Sequence, residues 1–312
     1  MYTYTWYQWF TFFYLYCFFG WIFESAFVSV KERHFVNRGF LRLPMLPLYG
    51  SGAVMMLWVS IPFLDSLVLT YISGFIGATA LEYVTGYMME RLFKVRYWDY
   101  SDKRFNIHGY ISLGSSVAWG FLTIFMTHLI HRPIERAVLS MPLSWNLFLV
   151  YFVTIIFVYD SIVCTKEAIS FGKSLEAMKK LRAELNNLQV QTALLKMNAG
   201  DHLQAAKSGL MEQLESKRVL EELKAKAGGK LDGLKDLTGI HLDGLREKTL
   251  DQLTEMLKDR ETRFMAILKE HRPFRRNRIR SNPSAVSPDY AQEFETLKKY
   301  FEDEKKEDQL PQ

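Results

Sequence analysis

Apolar residues dominate the chain from position 6 to about 166, in five long runs broken by short polar stretches, and then give way to alternating Lys, Glu and Leu. A run of about 20 apolar residues is what a helix needs to cross roughly 30 Å of hydrocarbon. The pattern predicts helices at about 6–30, 47–64, 66–92, 109–130 and 145–166. Helices two and three form a hairpin over the tight turn Pro62 to Asp65. From 174 to 195, Met178, Leu181, Leu185, Leu188, Thr192 and Leu195 alternate at spacings of three and four, the seam of a short coiled coil. Further on, Leu220/Leu223, Leu231/Leu234, Leu242/Leu245, Leu253/Met256 and Phe264/Ile267 recur every 11 residues, which keeps an apolar stripe nearly straight. The expected fold is all-α: a polytopic membrane bundle of about five transmembrane helices (1–168), a long cytoplasmic helical or coiled-coil arm (169–270), then a basic linker and charged C-terminal helix (271–312), the last helix capped by Ser287.

Composition supports this division. The 312 residues include 23 Phe, 16 Tyr and 7 Trp, yet mean hydropathy is near zero because the second half is strongly polar. The first ten residues lack the basic region and cleavage site of a removable signal, so the first run is expected to stay as an anchor. Cys17 and Cys164 sit inside separate apolar runs at no metal or redox spacing.

Charge changes the picture in two places. The net +5 is explained by topology rather than by nucleic acid as a partner. Lys31, Arg33, Arg38 and Arg42 follow the first span, and Arg91, Lys94, Arg96, Lys103 and Arg104 follow the third. The positive-inside rule then puts both loops and the C-terminal arm in the cytoplasm and the N-terminus outside. The run Arg272, Arg275, Arg276, Arg278 and Arg280 could touch anionic lipid or remain solvated.

The second place is inside the spans, where Glu24, Glu82, Glu90 and Asp160 lie. A carboxylate in hydrocarbon costs roughly 2.5–3.5 kcal/mol on insertion scales, so such residues face a partner or a wet cavity. Glu82 and Glu90 continue an i+4 row, Gly74, Ala78, Glu82, Gly86, Glu90, and similar rows run through Ser112, Ser116, Gly120 and through Tyr16, Gly20, Glu24. Small residues at this spacing let membrane helices approach closely, and the three rows are expected to face one another. Residues 37–53 are too rich in Pro and Gly for a regular helix before helix two, and irregular backbone at membrane depth survives only inside protein or beside water. The loop is therefore expected to dip inward and bring Arg38 or Arg42 to Glu24 or Glu82. Asn37, Trp98, Asp99, Asn106 and His108 complete the candidate mouth of a cytoplasm-facing polar cavity, with Ser116 on its wall. No catalytic set, metal site or cofactor is read from the residues.

The blocks GWIFES (20–25), NRGFLRLPMLPLYGSGA (37–53), LEYVTGYMMERLF (81–93), WDYS (98–101) and FNIHGYISLGSSVAWG (105–120) resemble, in order and spacing, the CmpB-like ABC-transporter type IV membrane proteins. The resemblance covers roughly residues 10–130 and implies a bacterial multi-pass protein of the inner membrane, a permease component; Leu43 departs from it, where glycine is expected before Pro44. A permease of this type needs a separate ATPase subunit. Gly172, Lys173 and Ser174 mimic the end of a P-loop, but its first glycine would fall at Glu167 with no strand before it. Three readings stay open: a permease binding a cation, proton or cationic group at Glu24 and Glu82; a membrane-embedded enzyme on a lipid-linked substrate, with Glu82 as base, Asp99 or His108 beside it and Arg38 on a phosphate; and a scaffold that forms homo-oligomers through its arm. Membrane lipid is a partner in each.

Overall fold

The computed structural model describes residues 4–196, 240–269, 279 and 281–307, and most of them are helical. Helix α1 spans Trp6–Glu32, α2 Pro47–Ser60, α3 Leu67–Phe93, α4 Leu113–Phe125, α5 His131–Leu139, α6 Leu143–Lys196, α7 Ile240–Lys269 and α8 Ala291–Glu307. The segments Trp6–Glu32, Leu67–Phe93, Leu113–Leu139 and the apolar part of α6 are long and apolar enough to cross a membrane. The second expected span is not: α2 has 14 residues, about 21 Å of helix, extended by a single 3₁₀ turn, Ile61–Phe63.

The reason α2 is short lies in the segment before it. Helix α1 stops at Arg33, which takes a left-handed φ of 56°. The chain then runs back along α1: Val36 N–H donates to Ser29 Oγ at 2.9 Å, Arg38 N–H to Ser25 Oγ at 3.1 Å, and Leu46 N–H to the Cys17 carbonyl at 2.9 Å. From Ser29 to Cys17 is twelve helical positions, so this irregular stretch descends about 18 Å before α2 begins. Its orphan N–H groups are met by hydroxyls and by Asp160 of α6, whose Oδ2 accepts from Arg42 N–H at 2.9 Å and Leu43 N–H at 3.0 Å. Leu43 is not among the residues with positive φ, so glycine is not needed there. Pro47 starts α2, where its missing N–H costs nothing. Gly50 is required next, because a Cβ there would lie 2.4 Å from Cys17 Sγ and 2.7 Å from the Phe13 carbonyl oxygen.

The row of small residues on α3 is its buried face: Thr70, Gly74, Ala78, Glu82 and Gly86 are all buried. It packs on α4, where a Cβ on Gly74 would strike Thr123 and one on Gly120 would strike the Tyr71 ring. The row on α1 behaves differently. Gly20 admits the Tyr49 ring of α2 and Glu24 meets the descending segment, while Tyr16 reaches His131 of α5 and shares a core cluster with Ala78 of α3.

The span expected at 109–130 begins later and runs further, because residues 106–112 form a hairpin with Asn106 opposite Ser112 and Ile107 opposite Ile111. The connection is three residues, His108 to Tyr110; His108 and Gly109 turn it with left-handed φ of 53° and 74°, and Tyr110 N–H closes the turn on the Ile107 carbonyl at 3.1 Å. Past α4 comes a π-helical turn, Met126–Ile130, whose Leu129 lies four residues before Pro133 of α5. Proline has no N–H to give to Leu129, which accounts for the wider turn.

By contact the chain divides into residues 1–176 with 271–312, and residues 177–270. In the second unit, Met178 and Thr192 of the heptad seam are buried and Leu181, Leu185 and Leu188 half-buried. Leu253 and Leu268 of α7 are buried as well, and Arg260 of α7 pairs with Glu184 of α6 at 3.0 Å. The repeat positions from Leu220 to Leu234 and most of the run Arg272–Arg280 lie outside the described residues.

Candidate functional site

Three irregular segments meet at the end of the bundle where α1 and α3 terminate: the descending segment 33–46, the loop 94–112, and residues 281–290. Glu24 faces the first of them. Its Oε1 accepts from Arg38 Nε at 3.2 Å, and its Oε2 from the Tyr49 hydroxyl at 2.6 Å. The pair is mostly shielded, with 14 % and 21 % of the two side chains exposed. Glu24 therefore has its own counter-charge.

Glu82 does not. Buried at 6 % exposure on α3, it accepts from Trp119 Nε1 at 2.9 Å, Ser115 Oγ at 3.2 Å and the Tyr100 hydroxyl at 3.3 Å. The Ser115 proton is shared with the Ser112 carbonyl at 2.9 Å, so tryptophan and tyrosine are the firmer donors. All three donors are neutral, and among the described residues no Lys or Arg pairs with Glu82. Tyr100 joins the two acids: burial first, then the charge and hydrogen bond of Glu82, then the charge of Glu24, hold its phenol well above the ordinary tyrosine range.

A third cluster closes the loop. Glu90, near the end of α3, accepts from Arg96 Nε at 2.7 Å and from the Tyr110 hydroxyl at 2.5 Å. Burial and then Glu90 push the Tyr110 phenol up to about 12. Arg96 also lies over the Tyr110 ring, 4.9 Å from its centroid. Gly86 leaves room for the rings of Trp98 and Tyr110, and Trp98 Nε1 donates to the Tyr110 carbonyl at 2.9 Å.

The remaining residues expected at the mouth are occupied elsewhere. Arg42 pairs with Glu167 of α6, not with Glu24 or Glu82. Asn37 accepts from Trp21 Nε1 at 2.7 Å on the flank of α1. Asp99 binds Ser101 through N–H and hydroxyl and lies 3.4 Å from Arg96. Burial raises its carboxyl, but those partners outweigh it and hold it below the usual carboxylate range. Asn106 donates to the Ser101 and Lys103 carbonyls and accepts from Gly109 N–H, so it builds the turn. His108 is exposed and meets the Tyr83 hydroxyl at 3.2 Å. Ser116 is buried on α4 but is not among the donors to Glu82.

Residues that sequence reasoning left out of the site carry much of it: Tyr49, Tyr100, Ser115 and Trp119. One signal was present. Ser115 and Trp119 stand four apart on α4, one position before the small residues Ser116 and Gly120. At the other end of the bundle His131, fully buried, has Tyr4 and Tyr16 hydroxyls 2.8 Å from its two ring nitrogens. Among the described residues no His, Cys, Asp and Glu group has the arrangement of a metal site.

Nothing matches the chain among curated proteins or solved structures. A family model does, over residues 11–165, a stretch that contains the descending segment, all three carboxylate clusters and the α3–α4 seam. The chain belongs, through these residues, to the family described as "Putative ABC-transporter type IV".

Proposed function

We propose that this multi-pass membrane protein is a permease component in which Glu82 exchanges a proton or a small cation at the cytoplasmic end. One observation carries the reading: Glu82 is buried within a span and, among the described residues, is held only by neutral donors. A carboxylate desolvated without a counter-charge is unfavourable by several kcal/mol, and uptake of a positive charge removes that penalty. Glu24 plays another part, because Arg38 already neutralises it. It holds the descending segment in place through Arg38 and the Tyr49 hydroxyl. The Lys and Arg of the two loops support a cytoplasmic location for this end.

The family description favours an ATP-driven assembly, with the ATPase on another subunit. Gly172, Lys173 and Ser174 lie within α6, and a Cβ on Gly172 would meet the Phe93 carbonyl oxygen at 2.8 Å, so that glycine serves helix packing. The enzyme reading loses support, since Asp99 and His108 are engaged away from Glu82.

Flux of protons and monovalent cations into proteoliposomes carrying the full chain tests the proposal, with and without proteins that copurify in mild detergent. Glu82→Gln is expected to abolish flux measured for the wild type. Equal rates in the two would overturn it.

A further inference from the structure

The basic run was expected to touch anionic lipid or remain solvated, with a charged helix after it, and residues 281–301 are built into the same end of the bundle as Glu24 and Glu82. Arg38 Nη1 donates to the Ser281 carbonyl at 3.0 Å and to Asn282 Oδ1 at 2.9 Å. Arg96 and Val286 exchange backbone hydrogen bonds of 2.8 and 3.0 Å, an isolated antiparallel bridge to the second loop. The Ser287 hydroxyl, expected to cap the last helix, donates instead to the Lys94 carbonyl. Beyond it Phe294 packs edge-on to Phe171 of α6, and Phe294, Leu297 and Phe301 of α8 are all buried. One segment thus ties down both loops and α6.

We propose that residues 281–301 are an intramolecular clamp that keeps the two loops closed over the buried carboxylates, with Arg38 coupling the clamp to Glu24. Arg38 divides its donors: Nε serves Glu24 within the bundle, while Nη1 serves the clamp. Loss of charge at Glu24 frees the guanidinium to reorient and weakens its hold on Asn282, and release of the clamp loosens Arg38 on Glu24. Coupling of this kind is reciprocal. The enclosure of Glu82 gives the clamp its purpose, because a charge can enter only when the Tyr100 loop moves. In that respect the clamp rests on the transport reading; its existence does not.

Amide hydrogen exchange of the full chain in lipid nanodiscs tests the clamp without any flux assay. Asn282→Ala combined with Ser287→Ala touches neither glutamate. It is expected to speed exchange of the amides of residues 38–46 and 100–110 about tenfold, while α3 and α4 stay protected. Phe294→Ala, which removes the apolar anchor, is expected to act in the same direction. Glu24→Gln is expected to speed exchange in residues 286–301, which Glu24 does not touch, and to be less than additive with Asn282→Ala. Loops that exchange at wild-type rates in both clamp variants would overturn the clamp. A segment 286–301 indifferent to Glu24→Gln would overturn the coupling. Inactivity of the wild type in proteoliposomes, with these exchange effects intact, would count against transport alone.

Discussion

The N–H of Leu46 donates to the carbonyl of Cys17, 2.9 Å away and in the middle of α1. That contact puts the start of α2 halfway down its neighbour and makes the preceding residues part of the interior. Backbone at such depth must have its polar groups satisfied by protein, and here Ser25, Ser29 and Asp160 do so.

Asp160 is therefore predicted to stabilise the descending segment rather than to take part in transport. Asp160→Ala leaves two backbone N–H groups unpaired and should destabilise the protein by roughly 2–4 kcal/mol, whereas Asp160→Asn retains an acceptor and should cost about half as much. Thermal unfolding in detergent measures both.

Two glycines of α2 make a matched pair. Gly50→Ala places a methyl 2.4 Å from Cys17 Sγ and against a backbone oxygen of α1, and should cost about 1–3 kcal/mol. Gly52→Ala meets nothing within 4 Å and should leave stability unchanged or slightly higher. A comparison of their melting temperatures decides the point.

The donors to Glu82 should act together. Trp119→Phe and Tyr100→Phe each remove one hydrogen bond to a buried acid, for about 1–3 kcal/mol of stability apiece. Their double variant should fall more than the sum, because Ser115 alone then remains and shares its proton with Ser112. Denaturation midpoints of the two singles and the double give the coupling.

Tyr110 carries a pH signature at the loop. Its phenol is raised to about 12 by burial and by Glu90, so the folded state favours the neutral form. The stabilisation is complete below about pH 10, the ordinary tyrosine value, and is lost as pH rises from there to about 12. Phenolate absorbance should show a late-titrating group that Tyr110→Phe removes, and the variant's stability should decline less over that interval.

Four of the five expected spans were legible in the sequence because a bilayer imposes length and apolarity on each helix separately, whereas the second proved too short. The i+4 row from Gly74 to Gly86 was legible for a similar reason: helical periodicity alone assigns those residues to one face. Arg38 reached Glu24 as the proline- and glycine-rich stretch suggested, while Arg42, four residues on, turned to Glu167. Nothing local separates those two arginines. Their fates follow from how far the chain has descended when each is reached.

The sequence by itself determined that the chain is a helical membrane protein, which faces of α3 and α4 pack, and which acids are too costly to leave facing lipid. Only the tertiary structure decided what each acid meets: an arginine for Glu24, three neutral donors for Glu82, and two backbone N–H groups for Asp160. Periodicity orders side chains around one helix, but a partner from irregular backbone, or from a segment more than two hundred residues away as with Asn282 and Arg38, is set by three-dimensional packing.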